Sequence, residues 1–322
     1  MESRALGTSS LHVSVVGLGC NNLGRPGTIT ETQEGATPVV LAAIEAGITL
    51  FDTADVYGKE FGLSERMLGE ALRGRRDGLV VATKFGHTDM APPLADGAAM
   101  GSRAYIRAAV EGSLERLGIE TIDLYQHHTP DPATPVEETL AALDELVREG
   151  KVREIGNSNY SAEELREADA AAATHGTARY VSAQNQYNPL DRSVEGDLLP
   201  AAARLGIGFL PYFPLANGLF TGKFTRTDRP ADTRIARQRP HVADDAPWDD
   251  MEEYAAFCEE RAITMLEATI GWFLSRPVLA SVIPGATRPE QVVQNAAAGS
   301  GWRPSPEEVA TIDRYFPLVD SR

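Results

Sequence analysis

Eight short apolar runs, each followed by a helical pattern, recur at residues 15–19, 48–52, 79–84, 122–127, 155–158, 180–184, 208–212 and 280–284. Their starts are separated by 33, 31, 43, 33, 25, 28 and 72 residues. Five of these gaps lie near the ~30 residues of one strand–helix unit. Eight is also the number of parallel strands that closes a barrel. The expected fold class is therefore α/β, a single (β/α)8 TIM barrel. Its two long gaps are insertions after strands 3 and 7, around 85–103 and 216–250. Length alone allows two domains of about 100–200 residues each; the strand spacing favours one domain over residues 1–322.

Helix signals fall between the runs. Thr134-Pro135-Val136-Glu137 reads as a capping box with Pro at the first helical position, and Gly150 suits the left-handed end. Leu140, Leu143, Leu146 and Val147 make its apolar stripe, as Ile106, Val110, Leu114 and Leu117 do for the helix stopped by Gly118. Ser161–Glu164 and Ser305–Glu308 repeat the box. A doubly wound open sheet is the structural competitor. It calls for an early GxGxxG turn, and the glycines at 17, 19 and 24 lack that spacing.

Thirty basic side chains against forty-six acidic ones give a net charge of −16. So acidic a chain repels phosphate backbones and anionic bilayers, which argues against nucleic-acid and membrane partners. Any phosphate-bearing ligand then needs a local cationic or backbone N–H site. Cys20 and Cys258 offer neither a disulfide framework nor a metal knuckle. The longest uncharged run, 18 residues between Arg204 and Lys223, holds two prolines and four glycines and reads as strand and loop. With no apolar leader at the N-terminus, the expected location is cytoplasmic.

In a barrel of this kind the C-terminal strand ends carry the chemistry. Here they are Gly19/Cys20, Asp52, Lys84, His127/His128, Ser158/Asn159, Gln184, Tyr212 and the stretch from Pro284. Chance solvation explains polar strand ends, but not Asp, Lys and His at three successive ones. With Tyr57, five residues past Asp52, they form an acid–base group. A lysine held by an aspartate stays charged and lowers a neighbouring phenol's pKa, making the tyrosine a proton donor or acceptor near neutrality. A histidine can donate to a carbonyl oxygen and orient it. No activated Ser or Cys nucleophile is apparent. Metal chemistry is disfavoured, because adjacent residues on a strand, His127 and His128, point to opposite faces and cannot share an ion.

These residues sit in runs that resemble the aldo-keto reductases: Phe51–Gly58, Ala82–Lys84, Asp123–His128, Ile155–Tyr160, Gln184–Arg192 and Tyr212–Lys223. The match spans the whole chain in order, and is similar to the bacterial branch that also resembles potassium-channel β-subunits. The resemblance implies NADP(H)-dependent reduction of a small-molecule aldehyde or ketone by hydride transfer. Tyr57 is then the proton donor, supported by Lys84, Asp52 and His128. It also implies that Ser158, Asn159 and Gln184 bind the nicotinamide carboxamide and that Tyr212 stacks on the ring. Pro214, Leu215, Gly218, Lys223 and Arg234 fall in the loop that covers the pyrophosphate. Gly285, Thr287, Arg288, Gln291 and Asn295 fall in the adenosine phosphate segment, and Gly19, Cys20, Asn21 and Asp52 lie along the cofactor. Thr287-Arg288-Pro289-Glu290 itself reads as a capping box whose free N–H groups suit an anion, with Arg288 placed to pair with a 2′-phosphate.

Three positions depart from the common pattern. Asn157 replaces an apolar residue, Phe213 a small one, and Cys20-Asn21 stand where Thr and an aromatic are usual, making the floor of the mouth more polar. His127 fills a slot that is apolar in the family. The likeness to channel subunits keeps a second reading open, an NADPH-binding redox sensor with slow or vestigial turnover. The carbonyl substrate and the oligomeric state are not legible.

Overall fold

Parallel pairing starts at the third strand of a computed structural model that describes residues 1–231 and 233–318. Two short antiparallel strands come first, β1 (Ser3–Ala5) and β2 (His12–Ser14). Then β3 (Leu18–Gly19), β4 (Leu50–Asp52), β5 (Val80–Phe85), β6 (Ile122–His127), β7 (Val152–Ser158), β8 (Tyr180–Gln186) and β9 (Gly208–Tyr212) pair in sequence order as one parallel sheet. The eighth run does not form a regular strand. It closes the ring through isolated parallel bridges, Val16 to Val282 and Gly19 to Gly285 on one side and Phe209 to Leu279 on the other. The expected barrel is therefore present, with its last strand reduced to single contacts. The last four residues of the 1–322 domain assignment, 319–322, lie outside the described residues.

Helices α1 (Gln33–Glu45), α2 (Leu63–Leu72), α3 (Arg103–Leu117), α4 (Val136–Arg148), α5 (Ala162–His175) and α6 (Leu198–Leu205) follow strands β3 to β8 in turn. After β9 come two short helices, α7 (Arg234–Gln238) and α8 (His241–Asp244), and then α9 (Trp248–Glu260) and α10 (Met265–Leu274). The chain ends with α11 (Pro289–Ser300) and α12 (Pro306–Tyr315). Ser161 and Ser305 cap α5 and α12 in full capping boxes, and Gly118 ends α3 at φ 64°. The box read at Thr134 does not form. Thr134 donates to the Asp131 carboxylate instead, and α4 starts after Pro135 without a side-chain cap. A box that was not read, Thr264 with Glu267, opens α10.

Strand alternation divides the apolar residues into two cores. Inside the barrel, Leu50, Val80, Ala82, Leu124 and Leu210 meet Leu6, Leu11 and Val13 of the N-terminal hairpin, which plugs the lower end. Between barrel and helices lies the larger core, which includes Phe51, Val81, Phe85 and Tyr125. Four strands switch character two residues after an inward apolar side chain: Leu50 gives way to Asp52, Ala82 to Lys84, Leu124 to Gln126 and Leu210 to Tyr212. A period of two keeps all of these on one face. The apolar plug and the polar layer above it are thus one pattern.

Helix packing is close enough to test. A Cβ on Gly69 of α2 would lie 2.3 Å from the Leu117 carbonyl oxygen of α3. Ala favours a helix by about 1 kcal/mol over Gly, but a backbone clash forces the helices apart at a cost of about 1–3 kcal/mol. Gly69→Ala is expected to lower the urea midpoint; an unchanged or raised midpoint would show that α2 shifts freely.

Candidate active site

Asp52, at the end of β4, is the anchor of the polar layer. Its Oδ2 accepts from the Lys84 ammonium at 2.7 Å, and its Oδ1 accepts from the side-chain amides of Gln126 at 3.1 Å and Gln184 at 2.9 Å. Lys84 is wholly buried and also donates to the Thr53 carbonyl at 2.9 Å. Desolvation works against the ammonium, yet Asp52 and Tyr57 outweigh it, so the lysine is held above its ordinary pKa and stays charged. Gln126 was not singled out in the sequence. Its signal was its place two residues after the inward-facing Leu124.

Tyr57 comes from the β4–α2 loop, its Nζ-facing ring centroid 5.2 Å from Lys84 Nζ. The loop is pinned by Thr53 and Ser64 hydroxyls at 2.8 Å and by the Ser64 N–H on the Tyr57 carbonyl at 3.0 Å. The expected lowering of the phenol's pKa is corrected here. Burial raises it, and although Lys84 and the Asn21 side chain pull it down, Asp52 pushes up again and the net shift is upward. The phenol therefore keeps its proton at neutral pH. Two residues earlier, both Asp55 carboxyl oxygens are buried without a partner. Burial and the neighbouring Glu65 raise that carboxyl well above its ordinary range, so it is held neutral.

Alternation at the end of β6 sorts the two histidines. His127 faces outward, stacked on Phe85 at 5.0 Å with its Nδ1 2.9 Å from the Tyr160 hydroxyl. Burial lowers its pKa to about 4. His128 faces the mouth, edge-on to Tyr57 with ring centroids 5.8 Å apart. Burial, then the Lys84 charge, hold it well below its ordinary value, so it is a neutral imidazole with one N–H to give. The structure thus brings together Asp52, Tyr57, Lys84 and His128. His87, at the start of the first insertion, lies edge-on to His128 at 4.7 Å.

The residues read as cofactor contacts fall into three groups. Around the mouth, Asn159 adopts φ 62°, its Nδ2 donating to the His128 carbonyl at 2.9 Å and its Oδ1 accepting from the Tyr212 hydroxyl at 2.9 Å. The Ser158 hydroxyl donates to the Gln184 carbonyl at 2.8 Å. Gln184 commits its amide nitrogen to Asp52 and Gln126. In the second insertion, Pro214 and Leu215 are buried, Gly218 has φ 106°, Lys223 is exposed, and Arg234 lies 4.8 Å above the Phe213 ring. At the last group, Gly19 and Gly285 form a bridge, and a Cβ on Gly285 would come within 2.9 Å of Asn22 Nδ2. Asn295 is buried on α11.

Two readings in this region are corrected. The cap of α11 is Arg288, not Thr287, and Gln291, not Glu290, reaches back, accepting from the N–H groups of Thr287 and Arg288 at 2.8 and 3.2 Å. Cys20 does not line the mouth. Its side chain is buried in the outer core and burial pushes its thiol up, while Asn21 is the neighbour that acts on Tyr57. No helix is long and apolar enough to cross a membrane among the described residues.

A phosphate-bearing dinucleotide fits this mouth on the structure's own terms. Arg234 Nε is buried without a partner, and Arg234 is held down to about 10, first by burial and then by the charges of Arg25 and Arg239. A buried guanidinium lacking its hydrogen bond is costly unless an anion meets it.

Comparison with known proteins agrees with this picture. Residues 15–316 match the model of the Aldo/keto reductase family. Probable aldo-keto reductase 1 of Glycine max is 34% identical over 297 residues, covering 91% of this chain and 83% of that protein. L-glyceraldehyde 3-phosphate reductase of Escherichia coli strain K12 is 32% identical over 336 residues, covering 98% and 92%.

In the free protein the Tyr57 phenol is expected to ionise above pH 10, its ordinary value. Phenolate absorbance of the wild type minus that of Tyr57→Phe, followed through a pH titration, checks this. A Tyr57-dependent step near neutrality would contradict it.

Proposed function

The chain belongs to the aldo/keto reductase family, oxidoreductases that act on small-molecule carbonyls, and we propose that it reduces aldehydes or ketones to alcohols with NADP(H). The observation that carries the proposal is the placing of a protonated Tyr57 between a buried, charged Lys84 and a neutral His128. When bound, reduced nicotinamide supplies the hydride. His128 donates to the carbonyl oxygen and holds it facing Tyr57. The Tyr57 hydroxyl gives its proton to that oxygen as negative charge develops there. Lys84, 2.7 Å from Asp52, balances the phenolate left behind. Gln126 and Gln184 keep the Asp52 carboxylate aimed at Lys84 and away from the substrate.

Ser158, Asn159 and Gln184 would hold the carboxamide, with Tyr212 against the ring. Gly19, Cys20 and Asn21 border it, Cys20 through its backbone. Pro214, Leu215, Gly218, Lys223 and Arg234 would strap the pyrophosphate. Gly285, Thr287, Arg288, Gln291 and Asn295 would take the adenosine phosphates, and Arg288 supports NADPH over NADH through its charge beside the α11 N-terminus. We assign all of residues 1–322 to this one barrel domain, working in the cytoplasm.

Purified protein is expected to consume NADPH with simple aldehydes. Tyr57→Phe should lose about 10²–10⁴-fold in turnover, while fluorescence titration still detects NADPH binding. Undiminished turnover in that variant would remove Tyr57 as the donor. Retention of NADP+ with negligible turnover of every carbonyl would favour a sensor.

A further inference from the structure

His127 faces away from the mouth, and for a buried polar group it is poorly served. Its ring makes one hydrogen bond among the described residues, between Nδ1 and the Tyr160 hydroxyl at 2.9 Å. Its Nε2 is buried without a partner, and so is Oδ1 of Asn157, its register partner on β7. An orphaned polar atom costs about 1–3 kcal/mol, a cost that an apolar side chain in the same slot does not carry. Core packing therefore does not account for the imidazole. What it adds is the bond to Tyr160.

That bond falls at a demanding place. Tyr160 directly follows Asn159, and two successive residues at the end of β6 hold the two of them. The His128 carbonyl accepts from Asn159 Nδ2 at 2.9 Å, while the His127 ring meets the Tyr160 hydroxyl. From β8, the Gln184 carbonyl accepts from the Asn159 N–H at 3.0 Å and Asn185 Nδ2 donates to the Tyr160 carbonyl at 3.1 Å. Asn159 stands at φ 62°. Asparagine tolerates this left-handed region better than most residues, but it persists there only where the surroundings over-determine it. Both rings of the bond are themselves fixed. His127 is stacked on Phe85 at 5.0 Å, and Tyr160 lies edge-on to Tyr180 at 5.7 Å with the two hydroxyls 3.4 Å apart.

We propose that His127 and Tyr160 are positioning residues for the cofactor: their hydrogen bond clamps residues 159–160 to β6, holds Asn159 left-handed and so presents its side chain to the nicotinamide carboxamide. This rests on the reductase reading above, which sets Asn159 against the carboxamide. His127 faces outward and Tyr160 packs in the core between barrel and helices. The clamp therefore acts on cofactor affinity and not on the proton step at Tyr57.

Fluorescence titration with NADPH on the full chain compares wild type, His127→Leu, Tyr160→Phe and the double variant. Each single change is expected to weaken binding about three- to tenfold, the worth of one hydrogen bond, and the double change no further. With an aldehyde, KM for NADPH should rise in the same proportion while kcat stays within about twofold. The urea midpoint of His127→Leu should hold or rise, because an orphaned nitrogen leaves the core. Unchanged affinity in either single variant would overturn the clamp, as would additive losses in the double. So would a fall in urea midpoint that parallels the loss of affinity, which would leave the pair a packing role alone. If wild type binds neither NADPH nor NADH, the cofactor reading fails by itself. Hydrogen exchange of the Asn159 amide in the free protein then decides the clamp: exchange at least about threefold faster in Tyr160→Phe supports it, and unchanged exchange overturns it.

Discussion

The Lys84–Asp52 pair is the interaction on which the site is built. Burying either charge alone is costly, and removing one partner of such a pair typically costs about 3–5 kcal/mol. The fold meets this cost locally. Asp52 takes three donors, from Lys84, Gln126 and Gln184, contributed by strands β5, β6 and β8. Four strands must therefore be in register for the pair to exist. The same register sets Lys84 opposite Gln126 and Ser158 opposite Gln184. Barrel closure and site assembly are one event.

Much of this was legible because strand period and chemistry reinforce each other. Asp52, Lys84 and the histidine pair stood out as charged or titratable groups at strand ends; alternation set His127 and His128 on opposite faces, and the family resemblance chose His128. Gln126 was missed because a neutral amide between a tyrosine and two histidines draws no attention until its partner is known. The upward shift of Tyr57 was missed for a different reason. The Lys84 charge is visible in sequence, whereas the burial that outweighs it is a tertiary property.

Caps show the same division. Ser161 and Ser305 behave as read, since their partners are three residues away. Thr134 and Thr287 do not, because Asp131 and Gln291 compete for their hydroxyls. Arg234 and Arg239 lie five residues apart, but Arg25 is more than 200 residues away, and no local pattern links it to them. Phe213 was visible as an oddity, but the two cations on its ring, Arg234 and Arg239, were not. A net charge of −16 and a cationic mouth coexist because the acidic side chains are spread over the helices, many of them paired with arginines, as in Arg107 with Glu149 and Arg261 with Glu308.

The central claim is that Lys84 and Asp52 act as one unit on Tyr57. A double-mutant cycle on reductive kcat/KM, using Lys84→Met, Asp52→Asn and both together, measures it directly. The account predicts that each single change costs nearly as much as the double, a strongly non-additive result. Additive losses would show that the two residues work separately, and would contradict it.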